Sequence, residues 1–174
     1  AGVIFPHRNP ARPHGRRQPD IGLRFDTQVP PGGYAWWYLD AISDDGVHAI
    51  TLIAFVGSVF SPYYAWSGRR NPENFCAINI ALYGGKKSRW AMTERSSDKV
   101  SRSADHFQVG PSQITKERDH IAIDVCETGA PLPYTVRGRI RNYPEVKTDK
   151  AIRLDSDGYH IWWKVAPRGR IEVE

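Results

Sequence analysis

Carboxyl groups beside aromatic rings are the most suggestive chemical feature of this sequence. Burial in apolar surroundings raises the pKa of a carboxyl group, because it disfavours the charged form. Such a protonated acid can give a proton to an unactivated double bond, and aromatic faces can stabilise the resulting carbocation. Three runs place a titratable side chain among aromatic residues: Trp36, Tyr38 and Asp40; Trp90 and Glu94; His160, Trp162 and Trp163. We therefore predict acid-initiated alkene chemistry, with Asp40, Glu94 and His160 as catalytic candidates. The binding candidates are Trp36, Tyr38, Trp90, Trp162 and Trp163.

Each of these residues also has a structural explanation. Trp and Tyr in strands mostly form core, and a buried acid is often satisfied by a backbone amide or an arginine. No G-x-S-x-G elbow, Walker loop, H-E-x-x-H or dinucleotide motif occurs in the sequence. Cys76 and Cys126 have no CxxC spacing and no neighbouring His, so we predict no metal site. Both thiols are expected to be buried and free, with a disulfide between neighbouring strands as the alternative.

The elements that must position these residues are β-strands. Apolar and aromatic alternation, broken by turn signals such as the 43–46 loop, indicates about ten short strands and no convincing helix. The strands are predicted near 22–27, 34–42, 47–56, 75–83, 88–95, 105–109, 120–126, 134–142, 150–154, 159–165 and 169–174. This pattern is typical of an all-β antiparallel barrel or sandwich, and a barrel with an aromatic interior can hold one small apolar ligand.

The composition divides the chain in two. Residues 1–19 contain four arginines and no acid, and they are predicted to form a flexible basic arm. Residues 20–174 carry 20 basic and 19 acidic side chains and form the predicted β domain. The arm could touch anionic lipid or nucleic acid, but the β domain has no basic stripe, so no nucleic-acid partner is expected. The aromatic connection 57–74 is a candidate lid or plug.

Six segments, in order, resemble the carotenoid 1,2-hydratase (hydroxyneurosporene synthase) family. They are Phe25-Asp26 with VPPGGYAWWYLDAISDDG (29–46), LIAFVGSVFSPYYAW (52–66), CAINIALYG (76–84), RWAMTER (89–95), PLPYTVRGRIR (131–141) and HIWWKVAP (160–167). The resemblance covers nearly the whole chain after Ile21. Long ordered segments of this kind are far more specific than a single short motif.

The resemblance implies a function and a setting. Family members hydrate the terminal (1,2) double bond of an acyclic carotenoid such as lycopene, without a cofactor, through proton donation, a tertiary carbocation and capture of water. The implied fold is a lipocalin-like β-barrel or sandwich. Because the substrate is apolar, the implied location is cytoplasmic, peripheral to the inner or photosynthetic membrane of a photosynthetic bacterium. His160, Trp162 and Trp163 match a motif next to the family's proposed site.

The sequence departs from the family pattern in one respect. The family's proposed proton donor is an Asp in a Gly-x-Gly-Tyr-x-Asp type segment, which has no counterpart in these 174 residues. The chain is therefore expected to be either an N-terminal half or a shortened member. Three functional interpretations stay open: a hydratase, a non-catalytic module that binds a carotenoid or other apolar isoprenoid, and another cation-type isoprenoid reaction.

Overall fold

The chain folds into two antiparallel β-sheets with one short α-helix between strands. The structure is a computed structural model that describes residues 2–6, 23–85, 87–129, 134–146, 148, 151–154, 156 and 160–174, with the backbone alone for 2–6, 151, 153 and 160. The first sheet has seven strands in the order β11 (Ala151–Arg153), β12 (His160–Lys164), β1 (Gly2–Pro6), β2 (Ala35–Ile42), β3 (Ala49–Val56), β4 (Cys76–Tyr83) and β5 (Arg89–Arg95). The second sheet has six strands in the order β13 (Arg168–Val173), β10 (Tyr134–Val146), β9 (Ile121–Gly129), β8 (Ser112–Lys116), β7 (His106–Val109) and β6 (Val100–Arg102).

Among the described residues, one connection between strands contains an α-helix. Helix α1 spans Pro62–Trp66, and two 3-10 turns span Pro72–Asn74 and Ser97–Lys99. Ser61 caps α1 by accepting a hydrogen bond from the Tyr64 amide at 3.0 Å. Among the described residues, no helix has the length and apolar character needed to cross a membrane.

The core lies between the two sheets. Alternate residues of β2, namely Ala35, Trp37 and Leu39, are buried, as the predicted alternation requires. The Trp37 ring lies 5.3 Å from the ring of Phe107 on β7, so aromatic packing joins the first sheet to the second. Phe25 packs on both rings, at 5.3 Å and 6.2 Å between centroids. One continuous apolar cluster therefore holds both sheets and the 23–27 segment together.

The all-β prediction is confirmed, whereas a closed barrel is not found in the described part of the chain. The two sheets share a core but remain separate in their hydrogen bonding, which is compatible with the sandwich alternative.

Several predicted strand positions needed correction. Within the strand predicted at 22–27, the described residues 23–27 are not a strand, although Leu23 and Phe25 are buried. Backbone groups there bond to other parts of the chain: the Trp37 indole donates to the Arg24 carbonyl at 2.9 Å. Strand β8 at 112–116 was not predicted, because its Gln and Thr residues weaken the apolar alternation. Gly2–Pro6, within the segment predicted as an arm, forms β1. Residues 7–19 lie outside the described residues, and the division at residue 19 stays a prediction.

One buried acid lies in the interior. The Glu127 side chain is fully buried, and both of its oxygens accept hydrogen bonds from Arg95 Nη1, at 3.1 and 3.0 Å. The Ser112 hydroxyl donates a further bond to Glu127 at 2.6 Å, while it accepts one from the Cys126 amide. This network links β5 of the first sheet to β8 and β9 of the second.

Both cysteines are free, which confirms that expectation and excludes the disulfide. Cys76 is buried, and burial raises the pKa of its thiol to about 12. Cys126 is only half-buried, which differs from the expectation for this residue.

Candidate functional site

The face of the first sheet that points away from the core carries most of the predicted site residues. We call it the outer face. Across it, directly paired residues form one row in which Trp162 and Trp36 flank Ile4, and Trp36 is followed by Phe55, Ala77 and Glu94. Neighbouring strands lie about 4.8 Å apart, so the backbones of Trp36 and Glu94 are separated by roughly 14 Å. This row defines a long apolar strip, with aromatic residues at three of its six positions, that ends at a carboxyl group.

An aromatic cluster occupies the middle of this strip. The Trp36 and Phe55 rings meet edge to face at 5.4 Å between centroids. Phe60, from the loop after β3, stacks on Trp36 at 5.6 Å and meets Phe55 edge-on at 5.6 Å. Tyr34 contacts Trp36 from the other side at 5.3 Å. Phe55 is fully buried beneath the other rings, whereas Phe60 is exposed and Tyr34 and Trp36 are half-buried. The accessible part of the cluster offers ring faces and edges of the kind that bind apolar ligands and stabilise positive charge.

The 57–74 segment holds Phe60 in this position. Its buried anchor is Tyr64, whose hydroxyl donates to the Gly33 carbonyl at 2.7 Å and whose ring packs on Phe75 at 5.1 Å. Gly57 has a positive φ of 70° and lies so close to the Gly33 carbonyl that a Cβ would stand 2.8 Å from its oxygen. The segment is thus pinned to the 30–33 turn. Its proposed action as a lid or plug stays a prediction.

Glu94 lies at the end of the strip in an environment that disfavours its charged form. Burial raises the pKa of the Glu94 carboxyl, and a hydrogen bond from the Ser61 hydroxyl partly offsets this. Its second oxygen, Oε2, is buried without a hydrogen-bond partner among the described residues. Ser61 follows Phe60 directly, so the 57–74 segment joins the acid to the aromatic cluster. Of the predicted carboxylates, Glu94 has the surroundings that the proton-donor hypothesis requires.

The other two residues predicted on this face lie in a more open region. Asp40 and Trp90 belong to a second row, joined through Thr51 and Ala81. Asp40 is exposed and accepts a hydrogen bond from the Thr51 hydroxyl at 2.8 Å, and the Trp90 side chain is 47% exposed. Tyr38 lies between the two rows and is half-buried. The structure therefore brings Trp36, Tyr38, Trp162 and Glu94 onto the enclosed part of the face.

The HIWW run on β12 divides between the two faces of the sheet. Trp162 shares the outer face with Trp36, and Lys164 lies over the Trp162 ring at 5.0 Å. Trp163 and Trp37 both pair with Val3, which places Trp163 on the core side. The backbone of His160 pairs with Pro6, while its side chain lies outside the described atoms. The functional roles of all three residues stay predictions.

Sequence reasoning missed four residues of this face: Phe55, Phe60, Ser61 and Asn79. Phe55 and Asn79 could have been found by pairing the strand faces, because each occupies an outward position in a strand whose other face is core. Asn79 is the only polar side chain between Cys76 and Leu82, and its Oδ1 is buried without a partner among the described residues. Phe60 and Ser61 gave no periodic signal, because a loop brings them to the site.

Together, the fold and the site describe an all-β sandwich-like protein with an aromatic sheet face that ends at a partly buried acid. The family model described as carotenoid hydratase CrtC matches residues 52–174. The chain belongs to this family. No solved structure matches the chain.

Curated relatives support the same assignment. The chain is 53% identical over 156 residues to the acyclic carotenoid 1,2-hydratase of Rubrivivax gelatinosus, covering 87% of this chain and 38% of that protein. It is 48% identical over 163 residues to the protein of the same name from Thiocapsa roseopersicina, covering 92% and 40%. A third such protein, from Rhodobacter capsulatus, is 44% identical over 124 residues, covering 71% and 44%. The chain spans about two fifths of the length of these relatives.

Proposed function

We propose that this chain takes part in the hydration of the terminal double bond of an acyclic carotenoid, with the outer face as the binding surface and Glu94 as its acid. The relatives are named for this reaction. The observation that carries the proposal is the position of Glu94: burial raises the pKa of its carboxyl group, and the same row of the sheet continues into the aromatic cluster.

The chemistry follows from this arrangement. The protonated Glu94 carboxyl gives its proton to the less substituted carbon of the double bond, which leaves a tertiary carbocation and a carboxylate. The rings of Trp36 and Phe60 stabilise the cation through their faces, and the buried Phe55 supports both rings. Water then forms the new C–O bond and loses one proton. The product is a tertiary alcohol, and no group is oxidised or reduced.

The shape of the outer face suits a long apolar substrate. From Trp162 on β12 to Glu94 on β5 the row crosses five strand spacings, roughly 24 Å. Trp162 and Trp36 lie at one end and in the middle of this row, so they would bind the polyene while its end group lies near Glu94. Tyr38 and Trp90 would extend the contact surface. Asp40 and His160 stay secondary candidates for proton transfer.

The test uses the purified 174-residue chain with detergent-dispersed lycopene in water labelled with the heavy oxygen isotope. Mass spectrometry of the extracted pigment should detect labelled tertiary alcohol above a heat-killed control. Retention of lycopene without any alcohol would instead favour the alternative, a module that binds a carotenoid or another apolar isoprenoid and leaves the chemistry to a segment outside this chain. Absence of both product and retention would contradict the proposal.

Peripheral membrane contact is a further part of the proposal, because an apolar carotenoid resides in lipid. Three aromatic side chains of the 57–74 segment are more than half exposed: Phe60, Tyr63 and Trp66. Arg69 and Arg70 follow them and are also exposed. Aromatic and basic side chains together favour the membrane interface. A cytoplasmic location, peripheral to the inner or photosynthetic membrane, and a lipocalin-like closure of the sheets are proposed on the resemblance alone.

Vesicle flotation tests the membrane contact. The Tyr63→Ser/Trp66→Ser variant should lose binding to vesicles that contain anionic lipid, whereas Ile42→Ser, an equally exposed apolar site on another part of the first sheet, should not. Replacing the four arginines of residues 1–19 with glutamine separates any salt-sensitive contribution of the predicted arm. Equal vesicle binding by the wild type and the aromatic variant would show that the aromatic side chains of the 57–74 segment do not contribute to the membrane contact.

A further inference from the structure

Buried polar atoms without partners are concentrated on the outer face. Native proteins satisfy the large majority of buried polar groups, so each exception calls for an explanation. Four such atoms on this face have no hydrogen-bond partner among the described residues: Trp36 Nε1, Asn79 Oδ1, Glu94 Oε2 and Trp162 Nε1. The proposed function assigns three of these residues to substrate binding or proton donation. It leaves the Asn79 oxygen unexplained.

Asn79 is a diagonal cross-strand neighbour of Glu94. Ala77 pairs with Glu94, and Asn79 pairs with Met92, so the two polar side chains lie on adjacent strands of the same face, two residues out of register. Diagonal neighbours of this kind are about 7 Å apart at the backbone, which long side chains can reach across. One water molecule with two hydrogen bonds of ordinary length spans such a gap.

Both unpartnered atoms are hydrogen-bond acceptors once Glu94 has given up its proton. Oδ1 of Asn79 is a carbonyl oxygen, and Oε2 of Glu94 belongs to a carboxyl group. Asparagine is also disfavoured inside strands, and here it lies between the buried Ile78 and Ile80. A water molecule that donates one O–H to each acceptor would keep its lone pairs directed away from the sheet, towards a ligand bound on the face.

We propose that Asn79, together with Glu94, positions the water molecule that adds to the substrate cation. This inference rests on the proposed function and assigns the second half of the reaction. After Glu94 has protonated the alkene, its carboxylate and the Asn79 carbonyl hold the water. The water oxygen forms the C–O bond, and its proton passes to the Glu94 carboxylate. The acid is thereby regenerated, and the atoms balance to alkene plus water giving alcohol.

The two halves of the reaction can be separated with deuterium. In D2O, protonation followed by loss of a proton from the cation returns the substrate with deuterium incorporated, without forming alcohol. Asn79→Val removes the acceptor and keeps a good strand former at this position. We expect alcohol formation to fall by roughly 100-fold, while deuterium incorporation into recovered lycopene and KM stay within about threefold of the wild type.

Two further variants control the result. Asn79→Ser retains an oxygen that can accept a hydrogen bond, and it should recover part of the alcohol formation. Thr93→Val removes a hydroxyl next to Glu94 on the opposite face of β5, and it should leave the ratio of alcohol to exchange unchanged. Thermal unfolding checks that each variant is folded.

The outcomes separate this inference from the proposed function. A folded Asn79→Val variant that loses exchange and alcohol equally has a structural or binding defect, which overturns the positioning role. Unchanged alcohol formation in that variant overturns it as well. A wild-type chain that shows neither exchange nor alcohol refutes the proposed function itself, and the role of Asn79 with it.

Discussion

Glu94 on the outer face and Glu127 in the interior are both enclosed carboxyl groups, but they differ in the hydrogen bonds that their oxygens receive. Glu127 receives hydrogen bonds from Arg95 and Ser112 on both oxygens. Glu94, next to Arg95 in the chain but on the opposite face of β5, has one hydrogen bond from Ser61 and one buried oxygen without a partner among the described residues. The fully hydrogen-bonded Glu127 stabilises the fold by joining the two sheets. An incompletely satisfied acid is available to exchange a proton.

The largest expected effect concerns the interior acid. Glu127→Ala leaves the largely enclosed Arg95 without its counter-ion, so the free energy of unfolding should fall by about 3 kcal/mol. Glu94→Ala should cost clearly less, because no charge partner is left behind. Urea unfolding of both variants at neutral pH makes the comparison. Equal losses of unfolding free energy in the two variants would contradict the proposed difference between the two sites.

The second-largest loss of stability is expected at a glycine next to the interior network. Gly110 has a positive φ of 59°, and a Cβ at this position would collide with the Arg95 side chain. Gly46 has a similar φ of 70° but open space around it. Both alanine variants carry the backbone strain, so Gly110→Ala should lose about 1 to 3 kcal/mol more than Gly46→Ala from overpacking. A smaller difference in urea unfolding would mean that Arg95 moves freely and the network is loose.

The pH dependence of stability sharpens the comparison at Glu94. Because burial raises the pKa of this carboxyl, the folded state binds its proton more tightly than the unfolded state. Its contribution to stability is therefore present at low pH and is lost as the pH rises from the unfolded pKa through the folded one. Glu94→Gln should be more stable than the wild type at neutral pH and should converge with it in acid. If the free energies of unfolding of the wild type and Glu94→Gln differ by the same amount at every pH, burial does not disfavour the charged form of Glu94.

The smallest effect is expected at the exposed acid. Asp40 accepts one hydrogen bond from Thr51 at a solvent-exposed position, so Asp40→Asn should change the free energy of unfolding by less than about 0.5 kcal/mol. Urea unfolding of this variant beside Glu94→Gln checks it. A loss as large as that of Glu127→Ala would show that Asp40 has a structural role which its surroundings do not reveal.

Much of the fold followed from alternation along the chain. Strand β2 was predicted, and alternation separated Trp37 and Leu39 from Trp36 and Tyr38, but it did not indicate which of the two faces is the core. Strand β1 was missed, because its apolar Val3, Ile4 and Phe5 are too few to outweigh the Arg- and Pro-rich residues that follow. The closure of a barrel depends on how strands at the ends of a sheet meet, and alternation within a strand contains no information about that.

The site was predictable only where a single strand contained the signal. Glu94 was selected because it alternates with Trp90, but Trp90 lies at the open end of β5, and the rings that continue the row of Glu94 come from β2 and β3. Asp40 had the same local pattern and proved to be exposed. The difference arises because a loop, through Phe60 and Ser61, covers one end of the face and not the other. Tertiary contacts of that kind cannot be derived from spacing.

The central claim is that Glu94 supplies the proton from this face, and matched variants test it most directly. Glu94→Gln and Asp40→Asn each replace a carboxyl with an amide of the same shape, one at the enclosed end of the strip and one at the open end. With lycopene in water labelled with the heavy oxygen isotope, Glu94→Gln should reduce labelled alcohol by roughly 100-fold or more, whereas Asp40→Asn should stay close to the wild type. Full activity of a folded Glu94→Gln variant would contradict the account and place the acid elsewhere.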